Sequence, residues 1–207
     1  NGLAPEKADF FQLSAIKVIN GKAVAIFDEY AHVKSGSVTR ALRDKLHFEQ
    51  LHLDERIQQA GTQAEVARRF LDFAADLHLV AHNGTFDYQF LRKHAPKFSN
   101  PLIDSLELLI LAYPAAASHS IEPLAEQFGL KAGKSRWGEV LALDESLGIS
   151  QGLGVGPGDL FHSAIFDCLV LYLLLKDGLA VLRGLPDTIR AQFRYLSPAL
   201  AVLVNAP

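Results

Sequence analysis

The sequence predicts an α/β domain, a mixed β-sheet flanked by helices, and three observations predict it. Strand-like and helix-like segments interleave along most of the chain. The first two strands are joined by Asn20-Gly21, the strongest short hairpin signal, so the first crossover comes only after an antiparallel pair. Leu79 to Arg92, LVAHNGTFDYQFLR, is an apolar strand that stops at a polar loop and restarts as a helix. Open α/β folds place ligands and catalytic groups at such junctions.

The elements follow in order. Phe10 to Ile19 is rich in apolar and β-branched residues and reads as a strand, with Ala23 to Val33 as its return. The stretch 34–62 is polar and mixed and gives no firm element. Thr62 to Ala75 carries a helical stripe of Val66, Phe70, Leu71 and Phe73, with Thr62 as N-cap and Glu65 three residues on. Leu77 to Ala81 reads as a short strand and Phe86 to His94 as a helix closed by Pro96. A minimal strand over 101–103 runs into Asp104, followed by helix from Ser105 to Ala112. Ser120 to Phe128 is a helix with Ser120 as N-cap and Gly129 as its stop. A further helix is expected over Trp137 to Leu147, and the glycines of GLGVGPG after it read as a loop. They match neither the P-loop nor the dinucleotide fingerprint. His162 to Lys176 reads as a buried apolar helix and Pro186 to Tyr195 as a last one.

Composition sets limits on function. The 207 residues are 49% hydrophobic, enough for one full core. A net charge of -3 excludes a strongly basic surface that coats nucleic acid, but not a site that grips a few nucleotides through metal ions. Cys168 is the only cysteine, so no internal disulfide forms and a reducing, cytoplasmic setting is expected. The apolar run from Cys168 to Leu175 is far short of the roughly 20 residues that span a bilayer, and no membrane or signal peptide is expected. The chain contains no methionine and opens Asn1-Gly2-Leu3-Ala4-Pro5, which reads as a loop leaving a strand; preceding chain is expected.

Chemistry concentrates in two stretches. In the first, Asp87 stands between aromatic residues at the start of a helix; alone, it would simply cap or solvate that start. In the second, His162 and Asp167 are five residues apart. On an ideal helix they would point roughly 140° apart, so they serve one site only if His162 stands on the loop or first turn. Asp167 lies in an apolar run, where a carboxylate needs a cation, a metal or several donors. The plainer alternative is a helix-start His and an Asp satisfied by backbone.

Together, AHNGTFDYQFL at 81–91 and His162 with Asp167 resemble the second and third motifs of the DnaQ-like (DEDDh) 3′–5′ exonucleases. The spacing favours the histidine version, because the position four before Asp167 is Ser163 rather than tyrosine. Asn1-Gly2-Leu3 resembles the tail of the family's first motif, Asp-x-Glu-Thr-x-Gly-Leu, whose two acids would then lie upstream. The resemblance implies an RNase H-like fold over residues 1–176 whose central first strand is missing from this chain, with 177–207 as a C-terminal helical extension or linker. It implies hydrolysis of phosphodiesters by two divalent cations, Mg²⁺ or Mn²⁺, on hard oxygen ligands. Asp167 and Asp87 would hold the metals and His162 would be the general base. His82, Asn83 and Phe86 would shape or contact the substrate end, and Leu3 would wedge against the terminal base. The implied partner is single-stranded or 3′-terminal nucleic acid, DNA before RNA. The family's settings suggest a polymerase III epsilon-like proofreading role. The tail LRGLPDTIRAQFRYLSPAL instead resembles a segment of DinG-type helicases, suggesting a fused helicase. The competing expectation is an inactive module of the same fold that binds nucleic acid or protein without the first motif. Trp137, Lys131, Lys134 and Arg136 are candidates for a nucleic-acid backbone contact, with a solvated surface as the plainer reading.

Overall fold

The structure, a computed structural model, describes residues 9–34, 36–46, 48–49, 51–153 and 163–205. Strands β1 (Gln12–Ile19) and β2 (Lys22–Tyr30) form an antiparallel hairpin. Its turn holds Asn20 at φ 51° and Gly21 at φ 72°, the left-handed pair that matches the strands' twist. β2 ends earlier than the sequence suggests. Ala31 still bonds back to the carbonyl of Phe11, but His32 donates to Gly61 and the chain leaves the sheet.

The hairpin is packed on both faces, and strand periodicity sorts its side chains. Leu13, Ala15 and Phe27 pack with Val66, Ala67, Phe70, Ala74, Leu91 and Phe98. Ile16, Ile26 and Tyr30 pack into the larger core on the opposite face. Val66, Ala67, Phe70 and Ala74 come from helix α3 (Gln63–Ala74), Leu91 from α4 (Thr85–His94) and Phe98 from the loop after it. Two short helices, α1 (Arg40–Lys45) and α2 (Leu53–Gln59), precede them in the stretch that gave no firm expectation. The expected capping box of α3 is complete: Thr62 Oγ1 accepts from Glu65 N at 3.3 Å, and Glu65 Oε2 accepts from Thr62 N at 2.8 Å.

Strands β3 (Leu79–Ala81) and β4 (Leu102–Asp104) pair in parallel, with α4 as the crossover. Among the described residues the sheet is therefore in two parts, β1-β2 and β3-β4. The larger core gathers α5 (Ser105–Ala112), α6 (Ile121–Gln127), α7 (Trp137–Leu147), α8 (Ile149–Leu153) and α9 (Ala164–Arg183). Ser120 does stand at the N-cap of α6, but its side chain makes no capping bond.

Three expectations about the C-terminal half change. Gly152 and Leu153 close α8 rather than opening a loop, and 154–158 lie outside the described residues. α9 runs on past Lys176 to Arg183, because Asp177 is neutralised by Arg136 at 2.6 Å and the apolar pattern resumes beyond it. α9 can lie close to α5 because residue 178 is glycine: a Cβ there would come within 2.9 Å of Leu108 Cδ2. The last expected helix is two short ones, α10 (Asp187–Arg190) and α11 (Phe193–Leu196). α10 buries nothing, whereas Phe193 turns inward to 4% exposure, so the chain bends between them. A final helix, α12 (Pro198–Asn205), adds Leu200 and Val204 to the larger core.

Candidate active site

The site is built first by the turn between β3 and α4. Asn83 sits at φ 58°, a left-handed conformation that asparagine tolerates better than most residues. Gly84 follows where a side chain would be tight: a Cβ would stand 3.0 Å from Ala81 Cβ and 3.1 Å from Leu102 Cδ1. The turn's amides are taken up by Asp104, whose Oδ1 accepts from Asn83 N at 2.9 Å and whose Oδ2 accepts from Gly84 N at 3.0 Å. Oδ1 also accepts from Leu106 N at 2.9 Å, which caps α5. His82 is half-buried, with Nδ1 at 3.1 Å from Ser105 Oγ and a second bond to the backbone of His119. Burial holds its pKa below the usual histidine value, against the opposing pull of the Asp104 charge.

This turn delivers Phe86 and Asp87 in the first turn of α4. Both line a cavity of about 290 Å³, and Asp167 from the first turn of α9 lines it too. Two acids distant in sequence therefore meet at one opening. The remaining walls are largely apolar, including Phe10, Phe11, Leu13, Leu42, Leu46 and Phe90. Phe86 stands edge-on to Phe90, ring centroids 4.9 Å apart, so it is at once a cavity wall and a packing residue. Asp87 is exposed to water through the opening but surrounded by protein elsewhere. That surround pushes its pKa up to about 6, chiefly by desolvation and with a further push from Asp104.

α9 starts at Ala164, with Ser163 as its N-cap accepting from Phe166 N at 3.4 Å. Two of the residues singled out from the sequence, Leu3 and His162, lie outside the described residues. Asp87, Asp167 and Phe86 come together at the cavity, while His82 and Asn83 belong to the turn beneath it.

Sequence reasoning missed a polar group behind the cavity. Asp28 on β2 lies opposite Ser14 on β1; it accepts from Ser14 Oγ at 2.5 Å and from Gln12 Nε2 at 2.9 Å. Gln12 lines the cavity and its Oε1 accepts from Ala164 N at 3.4 Å, linking the hairpin to the start of α9. Burial raises the pKa of Asp28. Cys168 is half-buried; enclosure of its thiol, then the charges of Asp167, Asp28 and Asp87, push its pKa up to about 12. The available signal was a row of polar residues, Gln12, Ser14 and Asp28, in two otherwise apolar strands. Asp104 was missed as well, because an acid at a strand end reads as an ordinary helix cap.

The basic residues near Trp137 are engaged within the chain. Lys131 pairs with Glu122 at 3.0 Å, Lys134 with Glu126 at 2.5 Å, and Arg136 with both Glu139 and Asp177. Trp137 packs on Phe166, centroids 5.7 Å apart. As for a metal, Asp87 and Asp167 are hard oxygen donors of the kind Mg²⁺ and Mn²⁺ take. The raised pKa of Asp87 shows an acid whose ionised form a cation would stabilise. Among the described residues, no group of three or more His, Cys, Asp or Glu is arranged to hold a metal ion, so these two fit as part of a set. No described helix is long and apolar enough to cross a membrane.

A two-sided α/β protein with acids converging on a strand-to-helix turn and a helix start defines the class, an α/β domain built round an acidic site. The chain belongs to the RNase T exonuclease family, whose model matches residues 1–134, and the DnaQ-like resemblance is sustained at this level. The match includes the Asp87 turn and ends before Asp167. Among relatives, the chain is 34% identical over 134 residues to the PolC-type DNA polymerase III of Streptococcus pneumoniae, covering 62% of this chain and 9% of that one. It is 34% identical over 136 residues to a DNA polymerase III subunit epsilon-like protein of Rhodobacter capsulatus, covering 62% of this chain and 19% of that protein. A Streptococcus pyogenes PolC-type polymerase is 33% identical over 132 residues, 61% of this chain and 9% of its own length. The chain thus spans less than a fifth of the length of these relatives.

Proposed function

We propose that this chain is the nuclease domain of a divalent-metal-dependent 3′–5′ exonuclease acting on DNA ends, with single-stranded or frayed 3′ termini as substrate. The observation that carries the reading is the meeting of Asp87 and Asp167 at one cavity. Both carboxylates would hold metal, Asp167 directly and Asp87 through water or at the second ion. Two Mg²⁺ or Mn²⁺ ions would supply charge neutralisation at phosphorus and a water that ionises near neutral pH. His162 takes the proton of the attacking water. Phe86 offers an aromatic face to the terminal nucleotide, Leu3 wedges against its base, and His82 and Asn83 shape the strand end beneath.

The reading also requires an Asp-x-Glu strand upstream of Asn1. β1 and β3 are each hydrogen-bonded on one side only among the described strands. An intervening strand would join the two halves into one mixed sheet and bring its acids to the cavity. Residues 1–176 would then belong to the nuclease domain; of the 177–207 extension, the end of α9 to Arg183 continues that domain's helix and α12 packs on the same core. The PolC-type and epsilon-like relatives make a replicative polymerase the favoured partner and the cytoplasm the favoured setting, with a fused helicase as the other arrangement.

The test uses the chain with its native upstream residues, on single-stranded DNA labelled at either end. Mononucleotides released from the 3′ end with Mg²⁺ or Mn²⁺, and none with chelator, support the reading. Degradation from the 5′ end, or inertness in both metals with an intact Asp-x-Glu, overturns it. If no such acids precede Asn1, the inactive binding module takes its place.

A further inference from the structure

We infer that Asp104 is the positioning residue of this site: its carboxylate fixes where Asp87 and Phe86 stand by fastening the 82–84 turn to the start of α5. The inference rests on the exonuclease reading above. An ordinary helix cap needs one oxygen for one or two amides of its own helix. Asp104 gives α5 only the bond to Leu106 N and spends its two other bonds across the strand pair, on Asn83 N and Gly84 N. Those amides belong to a turn whose own backbone bond, from Phe86 N to the carbonyl of Asn83, is long at 3.3 Å. Asn83 is left-handed, and Gly84, the N-cap of α4, has no side chain with which to cap it. The first residue of α5, the fully buried Ser105, holds His82 from the same side. Phe86 and Asp87 are the second and third residues of α4, so a shift of its first turn moves both relative to Asp167.

Asp104→Ser separates capping from positioning. Serine is a good N-cap for α5 but is too short to reach the turn. Asp104→Asn is the graded partner: its oxygen can still serve Asn83 and Leu106, while its NH₂ faces the N–H of Gly84. The first readout is hydrogen–deuterium exchange of the 82–86 segment, and the second is Mn²⁺ titration of the purified chain. In Asp104→Ser, exchange at Asn83 and Gly84 should rise at least about tenfold while α5 and global unfolding stay near wild type. Half-saturation by Mn²⁺ should move to higher concentration. On DNA, kcat should fall on the order of 10- to 100-fold with KM little changed. Asp104→Asn should fall between. Unaltered exchange in the turn and an unchanged Mn²⁺ titration would overturn the inference. So would both variants loosening the whole domain, which is a merely structural role. A wild-type chain that degrades no DNA sinks the exonuclease reading instead, and exchange still decides whether Asp104 holds the turn.

Discussion

The two acids of the cavity are held in opposite ways. Asp167 stands in the first turn of α9, a 20-residue helix whose Ile165, Phe166, Leu169, Leu174 and Leu182 are fully buried. Its position is set by apolar packing. Asp87 stands in the first turn of α4, which has only Phe90 and Leu91 as buried residues. Its position is set by a left-handed asparagine, a glycine and the hydrogen bonds of Asp104. Packing is strong and undirected, while a polar turn is weaker but directional. Damage at the first acid should therefore appear as lost stability, and damage at the second as lost geometry.

The largest expected effect is on the packed side. Phe166→Ala removes a fully buried ring beside Asp167 that Trp137 covers, and should cost about 3–5 kcal/mol in urea unfolding. A loss well under 1 kcal/mol would mean that α9 is not the rigid support described. On the turn side, Gly84→Ala keeps an ordinary backbone angle but forces a methyl against Ala81 and Leu102. About 1–3 kcal/mol is expected. Activity should fall further than stability alone explains; a variant with full activity would break the contrast between the two supports. Thr62→Ala removes the capping box of α3, which touches neither acid. It should cost about 1 kcal/mol and leave metal affinity alone.

The unequal legibility of the sequence follows the same division. α3, α5 and α7 were readable to within a residue, because apolar period and caps are local signals. The packed support of Asp167 was also legible as an apolar run, although its end was misplaced at Lys176. Asp177, just past that point, is neutralised by Arg136, 41 residues away in sequence, and no local pattern shows that. The polar support of Asp87 was hardly legible. Asp104 and Asn83 become partners only when β3 and β4 pair, and Gln12 and Asp28 only across the hairpin register. The acids themselves were found through their resemblance to a family motif; the groups that hold them became visible only in three dimensions.

The smallest effect concerns Asp87 itself, and its sign separates function from stability. An aspartate titrates near 3.8 in the unfolded chain, and Asp87 titrates at about 6 in the folded one. Its pKa is raised, so its favourable contribution is complete below the unfolded value and is lost as pH rises through about 6. Above that, in the absence of metal, the ionised carboxylate works against the fold. Asp87→Asn should therefore melt slightly higher than wild type at about pH 8 in chelator, with the difference closing toward about pH 4. Mn²⁺ should reverse the order, because an ion bound by the native acid stabilises the wild type by mass action and the variant less. Thermal melts at both pH values, with and without Mn²⁺, decide this. A variant that is never the more stable in chelator would show that the turn compensates the charge of Asp87 by itself, and that metal is not what this acid lacks.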